Sequence, residues 1–349
     1  MHNQRVTINE LVRLIPTIGE KLTPIIQSEP GCGKTSLLSM LEDNMGDKYD
    51  YIYVDCPVKD MQDIAMTIPN HETRTLETYV GSLFKLDSPK PKVILLDEFM
   101  KAPKLLQVIF TRLMLERFVG DTPLPDGSIV FGTSNNQSDG VGDTMLAHAS
   151  NRVCLLQMQK PQVEDWLVWA SENAISPLIR AWVHMFPRAL NSYLDDEQKD
   201  NPYIFQPSKP QLSFVTPRSL AKASVIVENR DILGETPTMS ALSGTIGYSA
   251  SAFLSLEKSL PDINEILERP DTIKVPDEIS AQLMVMFQAL DHLKTQDQLT
   301  NFMTFIKRIK SSEIQAIFFT MLVRNKQTRI LGRGNAEIAK WATENYELF

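Results

Sequence analysis

Cysteine is scarce: Cys32, Cys56 and Cys154 are the three in a chain of 349 residues. An odd number at wide spacing, with no C-x-x-C pair, excludes a disulfide scaffold and the paired-thiolate zinc patterns, and fits a reducing compartment. The five histidines are scattered, with none at i, i+4 or beside a cysteine pair. Neither a structural nor a catalytic zinc is expected. Long hydrophobic runs are missing too. No segment approaches the roughly 18 continuous apolar residues of a membrane span, and Met1 to Ile15 has a helix-like period without an apolar stretch of signal-peptide length. The expectation is a cytoplasmic protein with no membrane attachment. Positive charge is also in deficit: the formal net charge is -8, which works against broad affinity for nucleic acid. The most basic stretch, Phe305-Ile306-Lys307-Arg308-Ile309-Lys310, interleaves apolar and basic residues as one amphipathic helix does. A solvated helix face explains it more simply than nucleic-acid contact.

What is present is ordinary for a globular protein, with 43% hydrophobic and 22% charged residues. The length exceeds that of a typical single core, so one main domain with smaller modules is expected. Thr7 with Glu10 reads as a capping box opening a helix. Thr23 to Gln27 is a short β run, Ser28 to Gly33 supplies turn chemistry, and Lys34 to Asn44 is a helix with Leu37, Leu38 and Leu41 inward. Further strands are expected at Tyr51–Val54, Lys92–Leu96 and Ser128–Gly132, with a helix over Pro103–Phe118. Strands apolar on both faces imply a central parallel sheet, hence a doubly wound α/β fold. After Cys154-Leu155-Leu156 the pattern turns helical: Gln162–Leu194 carries Trp166, Trp169 and Trp182, Pro217–Glu228 is a helix, and Asp277–Phe349 reads as three or four more. The expected division is an α/β domain over 1–160, a linker and helical lid over 161–270 and a helical extension over 271–349.

Ser28-Glu29-Pro30-Gly31-Cys32-Gly33-Lys34-Thr35 matches the phosphate-binding pattern G-x-x-x-x-G-K-[ST], with Ser in place of the first Gly. Backbone N–H groups of such a loop, backed by a helix N-terminus, cradle phosphate oxygens. Ser28 through Thr35, with Ser36 following, are therefore the candidate residues for ATP or ADP. Lys34 is placed to reach the β- and γ-phosphates and the Thr35 hydroxyl to hold Mg²⁺. Cys32 has two readings: a thiol activated at a helix N-terminus, or a buried and inert one.

Val93-Ile94-Leu95-Leu96-Asp97-Glu98 is an apolar strand delivering two acids at its C-terminal edge, where open α/β sheets bind ligands. Asp97 is the candidate Mg²⁺ residue, through water, and Glu98 the group that polarises the attacking water. Gly132-Thr133-Ser134-Asn135 ends the next apolar strand. Asn135 emerges beside the acids if the two strands are neighbours, where it could fix the lytic water.

With these motifs in order, the first 225 or so residues resemble an AAA+ ATPase, the loop resembling the MoxR branch most. Gln107 to Gly127 resembles the helix and hairpin that this branch places before its sensor 1 strand, with Asn135 falling on sensor 1. Asn151-Arg152-Val153 resembles the element carrying the arginine finger, with Val153 in place of an aromatic; Arg152 would act on a neighbouring subunit. Thr216-Pro217-Arg218-Ser219-Leu220 resembles the start of the lid helix, with Arg218 as sensor 2. The resemblance implies a Mg²⁺-dependent ATPase in a homo-oligomeric, usually hexameric, ring that remodels a protein client in a chaperone-like way, often one with a von Willebrand A domain. It also implies that Pro57 to Phe84 is an insertion available for substrate contact. Two alternatives stay open: a nucleic-acid-stimulated motor or loader on the same core, and a nucleotide-gated scaffold with negligible turnover.

Overall fold

The computed structural model describes residues 4–136, 152–209, 211–247, 260–333 and 335–344. The chain forms two compact units that divide after Lys160.

The first unit opens with strand β1 (Arg5–Val6) and helix α1 (Ile8–Ile18). Thr7 caps α1 as expected, its hydroxyl accepting the Glu10 N–H at 3.3 Å while the Glu10 carboxylate accepts the Thr7 N–H at 2.8 Å. Strand β2 (Pro24–Ser28), helix α2 (Ser36–Met45) and strand β3 (Asp50–Asp55) follow. Then come a one-turn helix α3 (Met61–Ile64), a hairpin of β4 (Ala65–Asn70) and β5 (Thr75–Val80), and strand β6 (Lys92–Asp97). Helix α4 (Lys104–Glu116) leads into a short ribbon, β7 (Phe118–Val119) with β8 (Thr122–Pro123), and then to β9 (Ile129–Asn135) and β10 (Cys154–Met158).

One six-stranded sheet organises the unit, in the order β1-β10-β2-β9-β6-β3. Each neighbouring pair is parallel. Strand β6, flanked by β9 and β3, is buried along its whole length, which explains the unbroken apolar run in the sequence. Alternate side chains feed opposite faces: Ile94 and Leu96 join Leu106 and Phe110 on one side, and Val93 and Leu95 join Leu11, Ile15, Leu37 and Leu41 on the other. Lys92 begins β6 fully buried, its ammonium meeting the Asp50 carboxylate at 2.6 Å and the Ser88 carbonyl at 2.9 Å. Those partners offset the desolvation of the charge.

Two details depart from the sequence reading. Strand β9 runs on to Asn135 rather than stopping at Gly132, because Thr133, Ser134 and Asn135 pair with Ile26, Gln27 and Ser28 of β2. The stretch 65–80, read only as an insertion, is an antiparallel hairpin with Met66, Ile68 and Tyr79 exposed. Gly81 closes its base, where an added Cβ would lie 2.0 Å from the Asp63 carbonyl oxygen, so no side chain fits there.

The second unit is helical in its described residues: α5 (Val163–Glu172), α6 (Pro177–Met185), α7 (Pro217–Glu228), α8 (Arg230–Leu233), α9 (Glu235–Ile246), α10 (Ile263–Glu268), α11 (Ile279–His292), α12 (Gln296–Ile306), α13 (Ser312–Arg324), α14 (Arg329–Gly332) and α15 (Ala336–Glu344). One core joins residues from both sides of position 270, including Trp166, Trp182, Phe287, Phe302 and Phe318. Arg180 is buried in it, ion-paired with Asp291 and with its guanidinium 5.1 Å from the Phe287 ring centroid. In the basic stretch, Phe305, Ile306 and Ile309 are buried while Lys307, Arg308 and Lys310 face solvent, and Lys307 pairs with Glu337. Among the described residues no helix is long and apolar enough to cross a membrane. The architecture is thus the expected one, a P-loop parallel sheet flanked by helices and followed by a helical region.

Candidate functional site

Because the strands are parallel, β2, β9 and β6 all end at the same edge of the sheet. Strand β9 lies between the other two, with Gly132 level with Ile25 of β2 and Leu96 of β6, and Asn135 level with Ser28. The sequence left open whether Asn135 neighbours the acids. Strand order now puts it between the Ser28–Thr35 loop and the Asp97-Glu98 pair.

The loop turns on its glycines, Gly31 at φ 72° and Gly33 at φ 92°, a region costly to residues with a Cβ. Ser28 is buried at the end of β2, and Ser36 starts α2. Lys34 is folded back over the loop and only 8% exposed. Its ammonium donates to the Ser28 and Glu29 carbonyls at 3.0 and 3.1 Å, to Ser28 Oγ at 3.0 Å and to Asn135 Oδ1 at 3.0 Å. Glu29 is buried and its carboxylate faces Lys160 at 3.6 Å. Cys32 is buried as well, and burial pushes its thiol up to about 11. The inert reading of this cysteine is the one the geometry supports.

Asp97 gathers three hydroxyl donors from three elements. Thr35 Oγ1 donates to Oδ2 at 3.1 Å and Tyr53 Oη donates to the same oxygen at 3.0 Å, while Thr133 Oγ1 donates to Oδ1. A carboxylate has acceptor positions for all three. Partial desolvation of the phenol, reinforced by the Asp97 charge, drives Tyr53 well above the usual tyrosine range and keeps it a donor. The Thr133 hydroxyl also accepts the Glu98 N–H at 3.2 Å, tying the backbone after Asp97 to β9.

Glu98 has left-handed backbone angles, φ 51° and ψ 35°, immediately after the strand. That turn costs a non-glycine residue roughly 1 kcal/mol or more. A single 3₁₀ turn, Phe99–Lys101, follows it and brings Lys101 Nζ to 2.8 Å from Glu98 Oε2. Both side chains are partly solvated, so the pair is a weak restraint, worth about 0–1 kcal/mol.

Arg152 lies apart from this cluster within the first unit. Arg152 is exposed just ahead of β10, whose first residue, Cys154, is level with Pro24 at the start of β2. It therefore occupies the opposite edge of the sheet from the loop at the end of β2, roughly 16 Å away for five residues at about 3.3 Å each. Asn151 beside it lies outside the described residues. Arg218 belongs to the second unit, exposed in the first turn of α7, where Thr216 and Ser219 form a reciprocal cap at 3.0 and 2.8 Å and Pro217 opens the helix. Sequence reasoning missed Tyr53 and Lys101, and placed Thr133 on the strand end beside the acids without giving it a role. For Tyr53 and Thr133 the only available signal was a polar atom at the C-terminal half of an apolar strand, and for Lys101 there was none.

Residues 25–121 match the family model of the viral superfamily 1 RNA helicase core domain, a span that includes both the loop and the acid pair. Among curated proteins, none matches this chain by sequence. Among solved structures, the RuvB Holliday junction branch migration motor of Thermotoga maritima is similar at 13% identity and a TM-score of 0.37, covering 75% of this chain and 74% of that one. NtrX of Brucella abortus, solved in complex with ADP, is similar at 14% identity and a TM-score of 0.38, covering 96% of this chain and 67% of that one. The matched helicase-core segment lies within the first unit, whose parallel sheet and glycine-bearing loop form a P-loop NTPase-like fold.

Proposed function

We propose that this chain binds Mg-ATP in the Ser28–Thr35 loop and hydrolyses it, as an AAA+ ATPase of MoxR type working in an oligomeric ring that remodels a protein partner. The observation that carries the proposal is the convergence of Lys34, Thr35, Asp97 and Asn135 at one sheet edge, joined by hydrogen bonds of 3.0 to 3.1 Å. The roles follow from the chemistry of each group. Lys34 exchanges its loop carbonyls for β- and γ-phosphate oxygens. Thr35 Oγ1 and Asp97 Oδ2, 3.1 Å apart, are two oxygen donors of the kind a hard divalent cation takes, and they fit Mg²⁺, which neutralises phosphate charge when bound. Glu98 accepts the proton of the attacking water, and Asn135, one hydrogen bond from Lys34, orients that water.

Arg152 serves a neighbouring subunit in this reading, because its own loop lies across the sheet. Arg218 is the sensor of the lid helix. The exposed Met66, Ile68 and Tyr79 of the β4–β5 hairpin are the proposed contact for a protein client. The test is the mass of the protein with ATP and Mg²⁺, with phosphate release followed on the same samples for wild type, Glu98→Gln and Arg152→Ala. The reading expects a ring that turns over in wild type, and rings without turnover in both variants. Full turnover by Glu98→Gln, or by a dilute wild-type monomer, would overturn it.

The helicase-core match favours one second reading, a motor driven by nucleic acid. The net charge of -8 and the solvated basic stretch weigh against it. Its signature would be ATPase stimulation by RNA or DNA that falls steeply with added salt.

A further inference from the structure

Glu29 places a carboxylate inside a loop whose proposed ligand is a polyanion, yet that carboxylate is withdrawn from water. The side chains of Glu29 and Lys160 are 5% and 3% exposed, with their charged atoms 3.6 Å apart. Two charges this deeply buried each offset part of the other's desolvation. Lys160 follows β10, the strand that flanks β2, so the pair joins the end of one strand to the loop that leaves its neighbour. The Glu29 carbonyl oxygen, moreover, is one of the acceptors that anchor Lys34, at 3.1 Å.

We propose that Lys160 is a positioning residue for nucleotide, neutralising the Glu29 carboxylate so that the loop attracts phosphate and holds Lys34 in register. The proposal rests on the nucleotide-binding reading above. Its electrostatics have a definite sign. Without Lys160, the buried Glu29 charge loses this counter-charge and opposes the phosphates; without Glu29, the net local charge turns more positive and assists them.

Equilibrium binding of a fluorescent ADP analogue, measured without Mg²⁺, tests this on wild type, Lys160→Met, Lys160→Arg, Glu29→Gln and the double variant, with thermal melts of the nucleotide-free proteins alongside. The expected pattern is affinity lowered about tenfold or more in Lys160→Met, restored by Lys160→Arg and largely recovered in Lys160→Met/Glu29→Gln. Glu29→Gln alone binds several-fold tighter than wild type. In steady state, Lys160→Met raises KM for ATP and keeps its kcat at saturation. Should Lys160→Met fail to fold, Glu29→Gln still decides. Unchanged or weaker binding by Glu29→Gln overturns the proposal, as does Lys160→Met binding as wild type does. A wild type that binds no nucleotide overturns the nucleotide-binding reading itself, a result distinct from either.

Discussion

The ammonium of Lys34 and the Oδ1 of Asn135, separated by 101 positions in the sequence, stand 3.0 Å apart at the C-terminal edge of the sheet. This bond joins the loop itself to β9, the strand that separates the loop from the acids. Asn135→Ala removes that bridging amide. The expected outcome is ADP affinity within a few-fold of wild type and turnover lowered by about 10²-fold, the scale for losing one oriented polar group at a reacting centre. Paired binding and phosphate-release assays check it, and a proportional loss of both would show that Asn135 serves binding alone.

Thr133 is fully buried, donates to Asp97 and accepts from the Glu98 N–H. Thr133→Val keeps the shape and leaves both partners short of one hydrogen bond. Stability against urea should fall by about 1–3 kcal/mol. Turnover should fall further than Tyr53→Phe lowers it, because Tyr53 is 41% exposed and water can replace its hydroxyl.

Lys101 holds Glu98 by a single partly solvated contact. Lys101→Ala frees the carboxylate at little cost, so stability should change by less than about 1 kcal/mol. Steady-state turnover should stay level or rise a few-fold. A drop of an order of magnitude would mean that Lys101 itself contributes to the chemistry.

Burial holds the Cys32 thiol at about 11, so it ionises only as pH rises toward that value. At pH 8 about 0.1% of it is thiolate. Iodoacetamide at pH 8 should therefore modify the partly exposed Cys154 well before Cys32 in the folded protein. Mass mapping of the labelled peptides checks the order, and rapid labelling of Cys32 would show that the loop opens.

Much of the site was legible because it is local. The loop with its glycines and Lys34, and the apolar run ending in Asp97, each depend on a few consecutive residues and on the sheet edge to which any parallel strand delivers its last side chains. Thr7 with Glu10, and Thr216 with Pro217, likewise carried their helix starts in plain sequence. The Asp97 network was not legible, because Tyr53, Thr133 and Thr35 meet only once β9 is known to lie between β2 and β6 and β3 to pair with β6. Nor did anything mark Glu98 for a left-handed turn; Lys101 finds it through backbone geometry that propensity does not encode. Strand β9 outran its apolar residues for a similar reason, since pairing with β2 stabilises a polar Thr-Ser-Asn end that its composition alone would assign to a turn.

Arg152 and the Ser28–Thr35 loop lie at opposite ends of two neighbouring strands, β10 and β2, so in the proposed reaction no single chain closes both halves on itself. Genetic complementation follows from that separation. Under the proposed ring mechanism, a chain lacking Glu98 function still offers its Arg152 to a neighbour, and a chain lacking Arg152 still offers an intact pocket. Two preparations that are each silent should recover part of their activity when mixed and reassembled, whereas an excess of doubly defective chains should poison wild-type rings.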